Sequence, residues 1–427
     1  MLKFGNDNEV ITSEHERVVL AGVQTGSEDM SYSMSELAGL AAAAGAEVIG
    51  EAVQHLERIN TATFIGKGKV EELREFCANE GADAVIFNDE LSGIQTRNLE
   101  KALGVHVIDR TVLILDIFAL RAKTREGMLQ VELAQLQYIM PRIAGFDKSL
   151  SRQAGGIGTR GPGETQLETD RRHYIRRMDS IRNELKRIKK TRKTTRHRRD
   201  ASGIPVVALV GYTNAGKSSL MNRMLTEADR SDKDVHVEDM LFATLDTEQR
   251  RIKLSGTHEF ILIDTVGFVS RLPHTLIDAF KATLEEVAEA DLLLEVVDAS
   301  YEGYDFQIEV TDRVLEEIGA GGKDKIMVYN KMDLVDGEFY GVTTCESVNI
   351  SAETGENVND LLHIIEEHVF ADREEITVLV PYDKGEVLSY IYEKGIVKST
   401  EHREEGTLVT AELLKADYSR VKKYGIV

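Results

Sequence analysis

Apolar positions recur along the chain in two patterns, short unbroken runs and longer segments with helical spacing. In residues 1 to about 110, short runs such as Ala84-Val85-Ile86-Phe87 alternate with segments such as residues 69–80, whose apolar residues recur every three or four positions. Short runs are typical of strands buried on both faces, and the spaced pattern is typical of amphipathic helices. The alternation predicts a parallel sheet covered by helices, in an N-terminal β/α domain comprising residues 1–110.

Between residues 111 and 200 the pattern changes to two heptad repeats separated by about twenty residues. Two such helices predict an antiparallel helical hairpin, in which a glycine-rich loop joins the helices and a basic tail follows the second helix. The repeats consist of Leu129, Leu133, Leu136, Met140 and Ile143 in the first helix, and of Leu167, Tyr174, Met178, Ile181, Leu185 and Ile188 in the second.

The connection and the tail of this hairpin are candidates for RNA contact. Between Ser149 and Gly163 there are five glycines, two arginines and no acidic residue, a composition that suits close approach to an RNA backbone. A merely flexible tip is the alternative for the connection, and a solvated face is the alternative for the tail. The predicted RNA-contacting residues are Arg152, Arg160, Lys189, Lys190, Arg192 and Lys193.

A third apolar run, Val206 to Val210, leads into the sequence GxxxxGKS at residues 211–218, and a helical pattern follows. Strand, glycine-rich turn and helix in this order are typical of a phosphate-binding loop. The two glycines let successive backbone N–H groups point at an anion, and the helix N-terminus adds its positive end. Lys217 is placed to bridge the β- and γ-phosphates, and Ser218 offers a hydroxyl to Mg²⁺. The segment predicts a nucleoside triphosphate site.

Three later motifs select the nucleotide and detect its γ-phosphate. Asp264 begins a DxxG motif in which it would hold Mg²⁺ through water, while the N–H of Gly267 would contact the γ-phosphate. The sequence NKMD ends at Asp333, whose carboxylate can accept hydrogen bonds from N1–H and the 2-amino group of guanine. Adenine has no such pair of donors, so the motif predicts GTP. A backbone N–H in residues 351–353, Ser-Ala-Glu, can reach the guanine O6.

Thr244 lies between the glycine-rich loop and the DxxG motif. It is the candidate switch threonine, whose hydroxyl joins Mg²⁺ only when a γ-phosphate is present. An ordinary strand threonine is the alternative. The predicted catalytic residues are Lys217, Thr244 and Gly267, and the predicted Mg²⁺ ligands are Ser218 and Thr244, with Asp264 acting through water. The predicted GTP-binding residues are Gly211, Tyr212, Thr213, Asn214, Ala215, Gly216, Lys217, Ser218, Ser219, Phe242, Ala243, Thr244, Leu245, Asp246, Asp264, Thr265, Val266, Gly267, Asn330, Lys331, Met332, Asp333, Ser351, Ala352 and Glu353.

Phe268 follows the DxxG motif, at the position where Ras-like enzymes carry the glutamine that orients the attacking water. A phenylalanine cannot hold water by a hydrogen bond. We therefore expect slow intrinsic hydrolysis that another molecule stimulates, and we expect the Phe268 side chain to swing away from the phosphate during that step.

Composition and charge restrict the partners. The net charge is −21, with 42% hydrophobic and 29% charged residues, which describes a soluble globular protein. Residues 171–199 hold fourteen Lys and Arg against two acids, a local charge of +12, so subtracting it leaves −33 on the rest of the chain. Apart from the hairpin connection, any nucleic-acid contact should therefore be confined to this stretch. Two cysteines, Cys77 and Cys345, and the lack of a signal peptide or membrane span predict a reducing cytoplasm. We also expect a monomer.

The overall prediction is an α/β protein with four domains. A P-loop GTPase domain with a mostly parallel sheet and helices on both faces comprises residues 204–372. It follows the N-terminal β/α domain, 1–110, and the helical hairpin, 111–200. Alternating strand and helix patterns in residues 373–427 predict a small C-terminal α+β domain.

The chain also resembles the HflX family of GTPases, in the Obg–HflX group, over nearly its whole length. The resemblance implies a cytoplasmic GTPase that binds the large ribosomal subunit, is stimulated by it, and splits or rescues ribosomes. We expect no DNA or membrane partner. The matching segments are residues 65–71, 107–111, 115–118, 130–136 and 155–168, together with GYTNAGKS at 211–218, FATLD at 242–246 and DTVGF at 264–268.

Two other functions stay open at this point. One is an ATP-driven remodeller of ribosomal RNA, or a ribosome assembly factor, with Gly66 to Lys69 in a second nucleotide site. The other is a protein-signalling GTPase that does not bind RNA. Ribosome splitting, assembly and dormancy are all compatible with the sequence.

Overall fold

The computed structural model describes residues 16–26, 30–150, 162–202, 204–228, 248–254, 258–270, 284, 286–341 and 345–421. The chain divides into two compact units. The first consists of Met1–Arg187, Glu238–Asp246 and Ser270–Lys281, and the second consists of Ile188–Val237, Thr247–Val269 and Ala282–Val427.

The first unit contains a four-stranded parallel sheet, which confirms the predicted β/α architecture. The strand order is β2-β1-β3-β4. The strands are β1 (Arg17–Gln24), β2 (Glu47–His55), β3 (Ala84–Phe87) and β4 (His106–Asp109), and the helices that alternate with them are α1 (Ser31–Ala43), α2 (Lys67–Glu80), α3 (Gly93–Leu103) and α4 (Arg110–Arg121).

Local sequence signals set the ends of these helices. Ser92 caps α3 in a capping box with Gln95, and the left-handed Gly104 ends it. Asp109 caps α4 by accepting a hydrogen bond from the N–H of Val112. The guanidinium of Arg110 then lies buried against the carboxylate of Glu36, so the first unit encloses a charged pair.

The long helices α5 (Arg125–Leu150) and α6 (Pro162–Ser202) run antiparallel. Arg177 forms two 2.6 Å hydrogen bonds with Glu132, and Arg125 bonds Glu184 at 3.0 and 3.2 Å, so residue numbers rise along one helix as they fall along the other. The heptad positions Leu129, Leu133, Leu136, Met178 and Ile181 are buried, as predicted.

Two details of this region differ from the prediction. The helical pattern that starts near Thr111 is divided between α4 and α5 rather than continuous. The helix α6 also includes the basic tail and continues to Ser202, beyond residue 200, where the predicted hairpin region ends. Most of the glycine-rich connection, residues 151–161, lies outside the described residues.

The second unit contains a six-stranded sheet in the order β10-β9-β8-β5-β7-β6, parallel except for β6. Separate apolar clusters fill its two faces, which confirms the predicted sheet between layers of helices. The strands are β5 (Val206–Val210), β6 (Glu248–Lys253), β7 (Glu259–Asp264), β8 (Leu292–Asp298), β9 (Lys325–Asn330) and β10 (Ser347–Asn349), and the helices are α7 (Lys217–Ala228), α8 (Tyr304–Glu317) and α9 (Val358–Phe370).

A three-stranded antiparallel sheet, in the order β11-β13-β12, completes the second unit and confirms the small C-terminal α+β fold. Its strands are β11 (Arg373–Val380), β12 (Ile396–Arg403) and β13 (Gly406–Leu414), and its helices are α10 (Gly385–Lys394) and α11 (Lys415–Val421). His258 joins this sheet to the larger one, because its ring contacts the carboxylates of Glu366 and Glu412 at 2.6 Å each.

Candidate nucleotide-binding site

The predicted motifs of the second unit meet at one edge of its large sheet. The strands β5 and β7 to β10 are parallel, so their carboxyl ends lie on the same side, where open α/β sheets bind ligands. The glycine-rich loop follows β5, Asp264 ends β7, Asn330 ends β9, and Ser351 lies just beyond β10.

Two glycines allow the backbone of the loop to follow its path. Gly211 has a φ of +135° and Gly216 a φ of +91°, a region that side chains strongly disfavour. A Cβ on Gly211 would lie 2.2 Å from the carbonyl oxygen of Val296, and a Cβ on Gly216 would lie 2.2 Å from Nδ2 of Asn330. Neither position tolerates a side chain, so the sequence GxxxxGKS meets a steric demand of this fold.

Lys217 begins α7 with its ammonium group inside the loop. It donates hydrogen bonds to the carbonyl oxygens of Gly211 at 3.0 Å and Tyr212 at 2.7 Å. Burial lowers the pKa of Lys217 to about 8, although the nearby carboxylate of Asp264 acts in the opposite direction. A bound phosphate would place negative charge beside this ammonium and would favour its protonated form.

We therefore expect nucleotide binding to be accompanied by proton uptake, and we expect this uptake to increase as the pH rises from 7 to 8.5. Lys217 loses its proton near pH 8 in the nucleotide-free protein, whereas bound phosphates keep it charged, so GDP affinity falls as the pH rises through 8. At pH 8 the uptake should be about half a proton per nucleotide. Calorimetry in two buffers of different ionisation enthalpy measures it, and an uptake that stays flat or declines over this range would contradict the expectation.

Next to Lys217, the hydroxyl of Ser218 donates a 2.6 Å hydrogen bond to Oδ2 of Asp264. The following residue, Thr265, is buried and donates to the carbonyl oxygen of Leu209 at 2.6 Å, which ties the DxxG motif to β5. A hydroxyl and a carboxylate oxygen side by side are ligands that Mg²⁺ prefers. The donor set present here therefore fits this ion.

The backbone after Gly267 is hydrogen-bonded to the glycine-rich loop. The N–H of Phe268 donates to the carbonyl of Gly211 at 3.1 Å, and its carbonyl accepts from the N–H of Thr213 at 2.8 Å. The Phe268 side chain is only 2% exposed and packs in an apolar cluster with Val206 and Ile263. The structure thus places the ring in the core, and the expected swing of this side chain away from the phosphate stays a prediction.

The NKMD and Ser-Ala-Glu segments are joined by hydrogen bonds. The buried Asn330 donates through Nδ2 to the carbonyl of Ala215 at 2.8 Å and accepts the N–H of Ala352 at 2.9 Å. Ser351 donates its hydroxyl to Oδ1 of Asp333 at 2.5 Å. The loop after β5, the end of β9 and the segment after β10 are thus held together, with the Asp333 carboxylate exposed.

Two residues that support this arrangement were missed in the sequence. Arg223 on α7 donates through Nε to the carbonyl of Ala352 at 2.9 Å and also bonds the carbonyl of Glu353. Asp298 accepts from Lys331 at 2.7 Å. Asp298 could have been found, because it ends a strand at the ligand-binding edge. Nothing in the sequence around Arg223 indicates its partners, which are backbone atoms.

Several predicted site residues cannot be placed. Residues 242–246, which include Thr244, and the arginines Arg152 and Arg160 lie outside the described residues. Lys189 and Lys190 are exposed on α6. Arg192 and Lys193 belong to the same helix, but their side chains lie outside the description.

No helix in the part of the chain that the structure describes is both long and apolar enough to span a membrane. Both cysteines are free, with Cys77 buried and Cys345 partly buried.

The fold and this site define a P-loop nucleotide-binding protein. Four family models match consecutive parts of the chain. They are GTP-binding GTPase N-terminal (31–119), GTP-binding GTPase Middle Region (121–199), 50S ribosome-binding GTPase (206–331) and HflX C-terminal domain (341–422). The chain belongs to the HflX family of GTPases and hydrolyses GTP.

Relatives support this assignment over nearly full length. The GTPase HflX of Caldanaerobacter subterraneus subsp. tengcongensis is 48% identical over 99% of this chain and 97% of its own. That of Escherichia coli K12 is 41% identical over 92% of each chain. Among solved structures, a GTP-binding protein from Sulfolobus solfataricus in complex with GDP is 24% identical, covers 82% of this chain and 98% of its own, and has a TM-score of 0.44.

Proposed function

We propose that this GTPase is a molecular switch that associates with the large ribosomal subunit and splits or rescues ribosomes. The observation that carries the proposal is the basic surface of α6. Its described part exposes many cations and few acids, whereas the rest of the chain is strongly acidic. The match to the 50S ribosome-binding GTPase model over residues 206–331 supports the same partner.

In the nucleotide site, we assign the phosphates of GTP to the amides of residues 211–218 and to the Lys217 ammonium. Gly267 would contact the γ-phosphate, and Asp333 with the 351–353 segment would read guanine. Mg²⁺ would be held by Ser218 and Thr244, and by Asp264 through water. Once bound, this ion would neutralise phosphate charge. The proximity of Ser218 to Asp264 supports the assignment.

We further propose that the protein acts as a cytoplasmic monomer that binds neither DNA nor membranes. The division into regions 1–110, 111–200, 204–372 and 373–427 stays a prediction. For the alternative ATP site, Gly66 caps α2, and the nearby Lys69 ammonium is paired with Glu72 at 2.8 Å. That pairing gives no support to a second phosphate site.

The basic surface should bind RNA mainly through phosphates. Each phosphate contact contributes about −0.7 to −0.9 to the slope of log affinity against log salt. Replacing Lys189, Lys190, Arg192 and Lys193 by Gln should therefore flatten the slope for ribosome binding by about three. A matched control removes the same charge at Arg74, Lys101, Lys384 and Lys415, cations exposed on other elements. Equal effects of the two sets would identify α6 as an ordinary solvated face.

Co-sedimentation tests the ribosome proposal. The full-length protein should pellet with large subunits when a non-hydrolysable GTP analogue is present and stay in solution with GDP. Scoring free subunits in the same gradients distinguishes splitting from binding alone. If pelleting requires an ATP analogue instead, the remodeller alternative is supported. If the protein never pellets, it is a switch that acts away from RNA.

A further inference from the structure

The side chain of Thr213, the third residue of the glycine-rich loop, has a buried hydroxyl. The residue is 6% exposed, and its Oγ1 has no hydrogen-bond partner within the part of the chain that the structure describes. Buried hydroxyls are nearly always paired, because an unpaired one loses its bonds to water without replacement. Such a group at a ligand site indicates a partner that arrives with the ligand.

The position of Thr213 indicates which part of the ligand that is. A Cβ built on Gly267 would lie 2.7 Å from Cγ2 of Thr213 and 3.0 Å from Nζ of Lys217. Thr213 therefore borders both the DxxG glycine and the loop lysine. In the site assignment proposed above, these are the two groups that face the γ-phosphate.

The side chain of the neighbouring Phe268 cannot provide a catalytic hydrogen bond beside the proposed γ-phosphate position. Its ring is buried in the core, and a ring of this kind offers no hydrogen bond to water or phosphate. Its carbonyl is occupied by the N–H of Thr213. The Thr213 hydroxyl, by contrast, carries a donor hydrogen that the described residues do not use.

We propose that the Thr213 hydroxyl is a catalytic group that donates a hydrogen bond to a γ-phosphoryl oxygen of GTP during hydrolysis. As the oxygen of water bonds to the γ-phosphorus, the bond from phosphorus to the β–γ bridging oxygen breaks and its electron pair remains on GDP. The protons of water leave with the phosphate product, and Thr213 keeps its own. Its hydrogen bond stabilises charge on the transferred group.

The inference rests on the proposed placement of the γ-phosphate, and a pair of substitutions tests it. Thr213→Val removes the hydroxyl and keeps the shape, including the methyl group against Gly267. Thr213→Ser keeps the hydroxyl. Single-turnover hydrolysis by the isolated protein should fall about 10- to 100-fold in the valine variant and stay within a few-fold of wild type in the serine variant.

Two further measurements separate catalysis from folding. GDP affinity should stay within about twofold in both variants, because GDP has no γ-phosphate. The thermal midpoint of the nucleotide-free valine variant should not fall, since an unpaired buried hydroxyl has been removed. Thr213→Ala repeats the deletion with a smaller side chain, in case valine does not fit.

The proposal is overturned if Thr213→Val hydrolyses GTP as fast as wild type, or if valine and serine variants slow equally. Either result would assign the hydroxyl no part in the reaction. A loss of GDP affinity matching the loss of rate would instead show that Thr213 shapes the loop, and would also overturn it. Because these assays contain no ribosomes, they are independent of the proposed ribosomal partner. If Lys217→Ala binds GDP as tightly as the wild type does, the proposed assignment of the phosphates is itself wrong.

Discussion

Asp333→Asn is expected to change the nucleotide preference of this GTPase from GTP to xanthosine triphosphate. The carboxylate can accept from both N1–H and the 2-amino group of guanine, whereas an asparagine amide would place a donor against that amino group. Xanthine has a carbonyl there, which the amide can bond. Two hydrogen bonds to a charged group suggest a change of about 10²- to 10⁴-fold in the ratio of the two affinities.

The surrounding contacts make this substitution a clean probe. Ser351 donates its hydroxyl to the Asp333 carboxylate, and a hydroxyl can rotate to accept from an amide instead. Asp336→Asn, on an exposed residue three positions later, removes the same charge outside the predicted site. Competition binding with both nucleotides gives the ratio for each variant. An unchanged ratio in Asp333→Asn, or an equal change in Asp336→Asn, would show that Asp333 does not read the base.

The nucleotide site was predictable as far as its groups are encoded by contiguous motifs. In GxxxxGKS, two glycine positions are dictated by backbone conformation, so the residues themselves carry the signal. Asn330 and Asp264 follow apolar runs that parallel strands require, and strand ends of one sheet share an edge. Arg223 could not be predicted in this way. Its bonds go to backbone carbonyls 129 and 130 residues away, which any sequence would supply.

The helical regions show a different limit. The heptad positions of α5 and α6 were predictable because buried apolar residues must recur on one face. The heptad repeat stops at Ile188, yet α6 continues to Ser202. Lysine and arginine are good helix formers, so an exposed helix can extend beyond the residues that it buries. Apolar periodicity therefore locates the packed part of the helix but does not indicate where the helix ends.

The largest effect that we expect is the stimulation of GTP hydrolysis by large ribosomal subunits. With Phe268 in place of a water-orienting residue, isolated turnover should be on the order of 10⁻⁴ to 10⁻³ per second, as in unassisted Ras-like hydrolysis. A group supplied or ordered by the subunit should raise it by about 10³- to 10⁵-fold. Single-turnover assays with and without purified large subunits measure both rates. Fast hydrolysis by the protein alone, without further gain from subunits, would mean that the chain carries its complete catalytic set.

The position of the Phe268 side chain adds a second test, because it predicts that introducing glutamine at this position does not raise the rate of isolated hydrolysis. The ring lies in an apolar cluster on one face of the sheet. The backbone N–H and carbonyl of Phe268 are both hydrogen-bonded to the glycine-rich loop. A glutamine there would have to bury its amide or break those bonds, so Phe268→Gln should lower stability without accelerating isolated hydrolysis. Phe268→Leu keeps an apolar side chain and should retain both the slow rate and its stimulation. If Phe268→Gln instead accelerates hydrolysis in the absence of subunits, the side chain at 268 reaches the attacking water, and stimulation need not involve any group from outside the chain.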